Sequence, residues 1–294
     1  MGNEIMERKE VEAMKKGTKT ALIISSMFFI IGIILVIIGI GMGAYNHTDK
    51  WSISLGATSN KKNLEETYSG ISSIDFDFKS SEVIIQQGDR FHIKAENVSE
   101  KFSTYVQGTK WVIKEVGEIK FGFRFGLFGN NQGGKVVITL PKDVNLTSAN
   151  IQMDVGSVNL AYLDSHSTII DVDTGQINIE NLITQSLETD VDTGGINIYK
   201  GQIKHGIFSS DVGKIYFAGH ISGNMEVNAD VGSVELLLDN SYNNFNYEVS
   251  CELGNVIIGE KTFSGIDSDK VISNGAIQSA KLECEVGNIK VEFK

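Results

Sequence analysis

The sequence predicts an all-β protein, a parallel β-solenoid (β-helix) with 19-residue rungs, preceded by one transmembrane α-helix. Three observations predict it. A short motif recurs at a fixed step of 19 residues, with glycines at Gly156, Gly175, Gly194, Gly213 and Gly232. Apolar residues alternate with period two inside each copy. A single uncharged apolar run lies near the N-terminus.

The repeat carries most of the argument, because a fixed period of 20 residues or so marks a stacked architecture. The copies read DVGSVNL (154–160), DTGQINI (173–179), DTGGINI (192–198), DVGKIYF (211–217) and DVGSVEL (230–236). Two diverged copies follow, ELGNVII (252–258) and EVGNIKV (285–291). Two and four residues after each glycine the side chains are apolar, as at Val158 and Leu160 or Ile196 and Ile198. Three and one residues before it they are apolar or small, as at Met153 and Val155 or Val191 and Thr193. Alternation of this kind is a half-buried strand. The parity breaks at the glycine, which predicts a corner there, with both arms turned toward one interior and glycine chosen for its tolerance of positive φ. One unit cannot bury its apolar side alone, whereas units stacked ~4.8 Å apart bury a shared core.

The apolar run Ala21–Tyr45 has 25 residues and no charge. At 1.5 Å per residue it extends ~37 Å, enough to cross a hydrocarbon core of about 30 Å. It is too long for the apolar region of a cleaved signal peptide. Lys15, Lys16 and Lys19 precede it, while Asp49 and Lys50 cancel on the other flank. Positive residues stay inside, which predicts a cytoplasmic N-terminus and an extracellular C-terminal domain.

The organisation follows. Residues 1–20 form a cytoplasmic tail, 21–45 the transmembrane helix and 46–70 a polar linker. Residues 71–141 hold opening strands and an N-terminal cap, and 142–294 the repeat solenoid. Within the cap, FGFRFGLFGNNQGG (121–134) alternates Phe121, Phe123 and Phe125 with glycines and adds Phe128. These four phenylalanines fit either a packed hairpin arm or an aromatic loop that touches a membrane or a partner.

Composition excludes several functions. The net charge of −11, with Arg8, Arg90 and Arg124 the only arginines, argues against nucleic acid. None of the five histidines has metal-ligand spacing, and two cysteines make no zinc site. Cys251 and Cys284 both lie three residues before a motif glycine, in the column of Met153 and Val191. They read as small buried residues, and pairing is conceivable only if their two units stack directly. The repeat region contains no arginine, and no acid–base set for glycan cleavage stands out, so no catalytic residue is expected.

One column bears on metal binding. Asp154, Asp173, Asp192, Asp211 and Asp230 each lie two residues before a glycine. Stacked carboxylates ~4.8 Å apart repel by about 1 kcal/mol per pair even in water. Either each accepts a backbone N–H at its corner, or the column is a ladder of calcium sites. No other cofactor is implied.

The D-[VT]-G-x-[IV]-x-[LIF] units, the lead-in VVITLPKDVNL (136–146) and the opening SIDFDFKSSEVIIQQGDRFHIKAE (73–96) together resemble the bacterial DUF4097 family, labelled "putative adhesin". The resemblance spans roughly residues 71–294. It implies a cell-surface β-solenoid, with some members associated with envelope-stress operons, and it brings no catalytic residues. The expected function is a membrane-anchored, surface-exposed, non-catalytic binding or sensing module of the bacterial envelope. It would meet the lipid bilayer through residues 21–45, and its other partners would be cell-wall polymer or an envelope protein. The alternatives are a structural scaffold assembling end to end through its last unit, EVGNIKVEFK, and a glycan-active enzyme.

Overall fold

The computed structural model describes residues 61–116, 134–264 and 268–294, all within the unit Ser59–Lys294. No helix among these residues is long and apolar enough to cross a membrane. The apolar run 21–45 lies outside the described residues, as do Phe121, Phe123, Phe125 and Phe128.

The all-β expectation holds. Chain order begins with β1 (Lys61–Tyr68), β2 (Ser73–Phe78), β3 (Glu82–Gly88), β4 (Phe91–Ser99), β5 (Ser103–Gln107), β6 (Lys110–Lys114) and β7 (Lys135–Pro141). Long, bent strands follow as β8 (Leu146–Leu160), β9 (Leu163–Ile179) and β10 (Leu182–Ser210). The rest are β11 (Lys214–Ile221), β12 (Met225–Ala229), β13 (Ser233–Leu238), β14 (Phe245–Cys251), β15 (Asn255–Ile258), β16 (Lys261–Ser264), β17 (Ser268–Ile272), β18 (Gln278–Cys284) and β19 (Asn288–Phe293).

Parallel pairing at an offset of 19 joins β8 to β9 (Met153 to Val172, Val158 to Ile177) and β9 to β10 (Val172 to Val191, Ile177 to Ile196). The same offset joins β10 to β12 and β11 to β13, and it joins β10 to β11 up to Ile198, after which a bulge shortens it to 18 from Gly201 to Ile203. Each layer has two arms around a corner, and each arm buries more than one column of apolar side chains. On the second arm one such column runs Val136, Val83, Val158, Ile177, Ile196, Ile215, Val234, Ile289 and Val256, one residue per layer and all buried. β-branched side chains suit such a pleated, fully covered position. Each contributes about 1.5–3 kcal/mol of burial. On the outer side of this arm, Asn178 Nδ2 donates to Asn159 Oδ1 (3.0 Å) and Asn197 Nδ2 to Asn178 Oδ1 (2.9 Å). Stacked amides thus satisfy one another along the stack.

The ends of the stack depart from chain order. At one end β2 and β3 insert between β6–β7 and β8, so a layer early in the chain lies inside the stack. At the other, β18 and β19 insert between β12–β13 and β14–β15. Antiparallel strands cover both outer layers: β4 and β5 lie on β7 and β6, with β1 on β4, while β17 and β16 lie on β14 and β15. Aromatic packing closes the first end, where Trp111 meets Phe76 edge-on at 5.3 Å and donates Nε1–H to Thr104 Oγ1 at 2.9 Å.

This topology corrects the motive for end-to-end assembly. The unit EVGNIKVEFK does not present a bare edge; β19 has β13 on one side and β15 on the other.

Candidate functional site

The repeat glycines explain the corner, though not mainly through φ. Gly156 and Gly194 have φ of 139° and 138°, while Gly175, Gly213 and Gly232 do not adopt the left-handed region. What all share is close stacking. A Cβ on Gly175 would lie 2.5 Å from the carbonyl oxygen of Gly156, and one on Gly194 would collide with the carbonyl oxygen of Gly175. The same clash recurs at Gly213, Gly232, Gly287 and Gly254, each against the glycine of the adjacent layer.

The residue before each glycine also departs from expectation. Val155, Val212, Val231 and Leu253 are exposed rather than turned inward. The inward run ends three residues before the glycine, and the chain has already begun its turn.

The five aspartates do share a column. Their neighbours pair in register, and Val212 N–H donates to Asp192 O while Val231 N–H donates to Asp211 O. Glu285 and Glu252 extend the column into the last two parallel layers, through Val286 N–H to Asp230 O and Leu253 N–H to Glu285 O. Lys79 occupies the equivalent place at the other end, because Val155 N–H donates to Lys79 O. Its Nζ is 2.8 Å from Asp154 Oδ1. Among the described residues no backbone N–H bonds the carboxylates of Asp173, Asp192, Asp211 or Asp230, so the corner hydrogen bonds expected of them are not made. Burial first, then the neighbouring carboxylates, pushes Asp173 and Asp211 above the ordinary value of 3.8, and the flanking Asp171 likewise. The column is a line of single carboxylates: among the described residues no three His, Cys, Asp or Glu converge where one metal ion could sit.

The opposite edge holds a feature that the sequence reading did not single out. Where the second arm of one layer passes into the first arm of the next, the surface is concave. A trough of about 590 Å³ runs from Asn145 to Asp239. One wall is the column Asn145, Asp164, Ile183, Gln202, His220, Asp239, and the other is His166, Gln185, Lys204, Ser222. Between them the floor is formed by the buried Ser165, Thr184 and Ile203. The first wall takes one residue from each of six successive layers, so five steps of ~4.8 Å give roughly 24 Å.

The floor hydroxyls are spent internally: Ser165 Oγ bonds Thr168 Oγ1 at 2.6 Å, and Thr184 Oγ1 donates to Ser186 O at 3.0 Å. The walls are not. Asn145 Nδ2 donates to Asp164 Oδ1 at 2.6 Å and Asp239 Oδ1 meets Lys294 Nζ at 3.3 Å. By contrast, among the described residues nothing hydrogen-bonds the side chains of Gln185, Gln202, Lys204 or His220. A second hollow of about 320 Å³ shares Ile183, Gln202 and Asp239 with the trough and adds Tyr162 and Tyr199. Tyr199 is exposed and packs its ring 6.0 Å from Tyr216. Asp164 and Asp239 are four layers apart, roughly 19 Å, whereas paired glycosidase carboxylates stand about 5–9.5 Å apart.

The two cysteines are in-register neighbours, Cys251 on β14 beside Cys284 on β18, and both are buried thiols with no disulfide between them. Burial, and then Cys251 beside it, pushes the Cys284 thiol up to about 12.

Comparison with known proteins places the fold. The sequence profile described as "Toastrack DUF4097" matches residues 71–292. The chain belongs to the DUF4097 (Toastrack) family. Among curated proteins nothing matches. Solved structures similar to this family member include a putative cell adhesion protein from Clostridium sporogenes, 15% identical, covering 80% of this chain and 100% of that one, with a TM-score of 0.37. A putative adhesin from Parabacteroides distasonis is 14% identical, covers 79% and 97%, and has a TM-score of 0.41. A putative lipid binding protein from the same organism is 16% identical, covers 80% and 98%, and has a TM-score of 0.38.

Proposed function

We propose that this Toastrack protein is a membrane-anchored, surface-exposed, non-catalytic binding module of a bacterial envelope. The observation that carries the reading is the trough: a long concave surface whose polar walls keep unspent hydrogen-bonding groups. Its two acids, four layers apart, are too distant to act as a glycosidase pair. The uncharged run 21–45 supports the anchor, and Lys15, Lys16 and Lys19 before it support a cytoplasmic N-terminus.

Two measurements on the full chain test this. Protease added to intact producing cells is expected to digest the domain after residue 46 and to spare a tag at the N-terminus. The detergent-solubilised chain is expected to co-sediment with envelope fragments of the same cells. A domain protected until the cells are lysed, or a chain that stays in the supernatant, overturns the reading.

A further inference from the structure

Resting on the surface-binding reading, we propose that the trough between Asn145 and Asp239 binds an uncharged polysaccharide chain, laid along the stack with about one sugar residue per layer.

The first argument is repeat matching. The wall advances one side chain per layer, and parallel layers succeed one another at ~4.8 Å. An extended β-linked pyranose chain advances by nearly the same length per residue. A polymer along the trough therefore meets a fresh wall side chain at every sugar, which a compact ligand would not.

The second argument is the chemistry of the walls. Gln185 and Gln202 each offer an amide that can donate and accept at once, the pairing that adjacent sugar hydroxyls need. His220 adds a donor and an acceptor, and Lys204 adds donors. None of these side chains is engaged by another described residue. Tyr199, exposed at the adjoining hollow, offers a ring face to the apolar face of a sugar, as aromatic side chains with one wet edge do.

Charge decides between classes of polymer. The trough mixes Asp164 and Asp239 with Lys204, and Asp239 is already paired with Lys294 of the adjoining hollow. No single sign dominates it. The chain as a whole is at −11, which repels polyanions such as wall polymers built on phosphodiesters. An uncharged glycan incurs neither cost.

The test uses the full chain in detergent and soluble β-1,4-linked N-acetylglucosamine oligomers of two to seven units, followed by calorimetry. Affinity is expected to climb with each added sugar up to about five or six units and then level off, because the trough is six layers long. The double variant Gln202→Ala, His220→Ala is expected to weaken the hexamer at least tenfold, while Asp192→Asn on the opposite corner leaves it unchanged. Poly(glycerol phosphate) of similar length is expected not to bind. Three results would each overturn the proposal: no oligomer binding at all, an affinity indifferent to length, or a double variant that binds as tightly as the parent. A double variant that no longer binds the hexamer but unfolds at a lower temperature is replaced by Gln185→Glu, Gln202→Glu, which keeps side-chain length and must also weaken the hexamer. If sugars fail while the chain still sediments with envelope fragments, the trough assignment falls and the surface-binding reading stands. Loss of both removes both.

Discussion

Lys79 Nζ lies 2.8 Å from Asp154 Oδ1 and 3.2 Å from Asp77 Oδ1, so a cation closes one end of the acidic column, and among the described residues no cation pairs with its middle. Asp173 and Asp211 stand in that middle. Both hold their protons more tightly than an unfolded-chain aspartate does, through burial and through adjacent carboxylates. A raised folded-state pKa means that the charged form costs stability at neutral pH. That cost is relieved as pH falls through the folded-state value toward 3.8. The double variant Asp173→Asn, Asp211→Asn is therefore expected to be more stable than the parent at pH 7, by no more than about 1 kcal/mol, since both groups are exposed and screened. The gain should fade as pH approaches 3.8. Urea melts at pH 7 and pH 4 measure it, and a gain that grows on acidification would contradict the assignment.

The glycine column sets a harsher limit. At Gly194 a Cβ meets the Gly175 carbonyl, and φ of 138° is a conformation that other residues rarely adopt. Gly194→Ala must separate two layers or rebuild the corner. Overpacking and backbone strain together predict a loss of at least about 3 kcal/mol. Gly70 has φ of 70° with open space where a Cβ would go, so Gly70→Asn is expected to change stability by less than about 1 kcal/mol. Chemical denaturation of the two variants separates close approach from φ alone.

The repeat made much of this legible in the sequence. Alternation at Val158 and Leu160 marked an inward arm, and the 19-residue step aligned Asp154 with Asp173. Other features have no one-dimensional signal. Val155 looks like Met153 in the pattern, yet it faces solvent because the turn starts one residue earlier than alternation implies. The insertion of β18–β19 between β13 and β15 depends on which strands meet in space, and chain order suggested the reverse. The trough was missed for a related reason. Asp164, Ile183 and Gln202 share no residue type, so nothing in the sequence shows that they form one wall.

The thiols give a sharper check of that strand order. Only with β18 against β14 do Cys251 and Cys284 become neighbours. With the Cys284 thiol pushed up to about 12, little of its reactive thiolate exists at pH 8, and the side chains of both cysteines are buried away from a reagent. A thiol reagent at pH 8 is expected to leave both cysteines unmodified in the folded chain and to titrate two per chain in denaturant. Rapid reaction of the folded protein would mean that the last layers are packed differently.

Glu115 is a buried carboxylate with a defined task. It sits at the end of β6, and its Oε2 accepts the backbone N–H groups of Lys79 (3.0 Å) and Ser80 (3.1 Å), while Oε1 accepts Ser81 Oγ–H (2.8 Å). Those three donors form the corner of the β2–β3 layer, which has no Asp-x-Gly motif of its own. Glu115 therefore supplies from the adjacent layer the acceptors that shape this turn. Removing it strands three donors in a site where the carboxylate is itself only 5% exposed. Each stranded donor costs about 1–3 kcal/mol, less where water enters, so Glu115→Ala is expected to lose about 3 kcal/mol. Glu115→Gln keeps one acceptor oxygen and should lose roughly half as much. Hydrogen exchange gives the local readout. The Lys79 and Ser80 amides should exchange faster in Glu115→Ala, while the Val212 amide, bonded to Asp192 O several layers away, keeps its protection. Uniform acceleration at both sites would show that the variant loosens the whole stack, and Glu115 would then be a general core residue rather than the organiser of one corner.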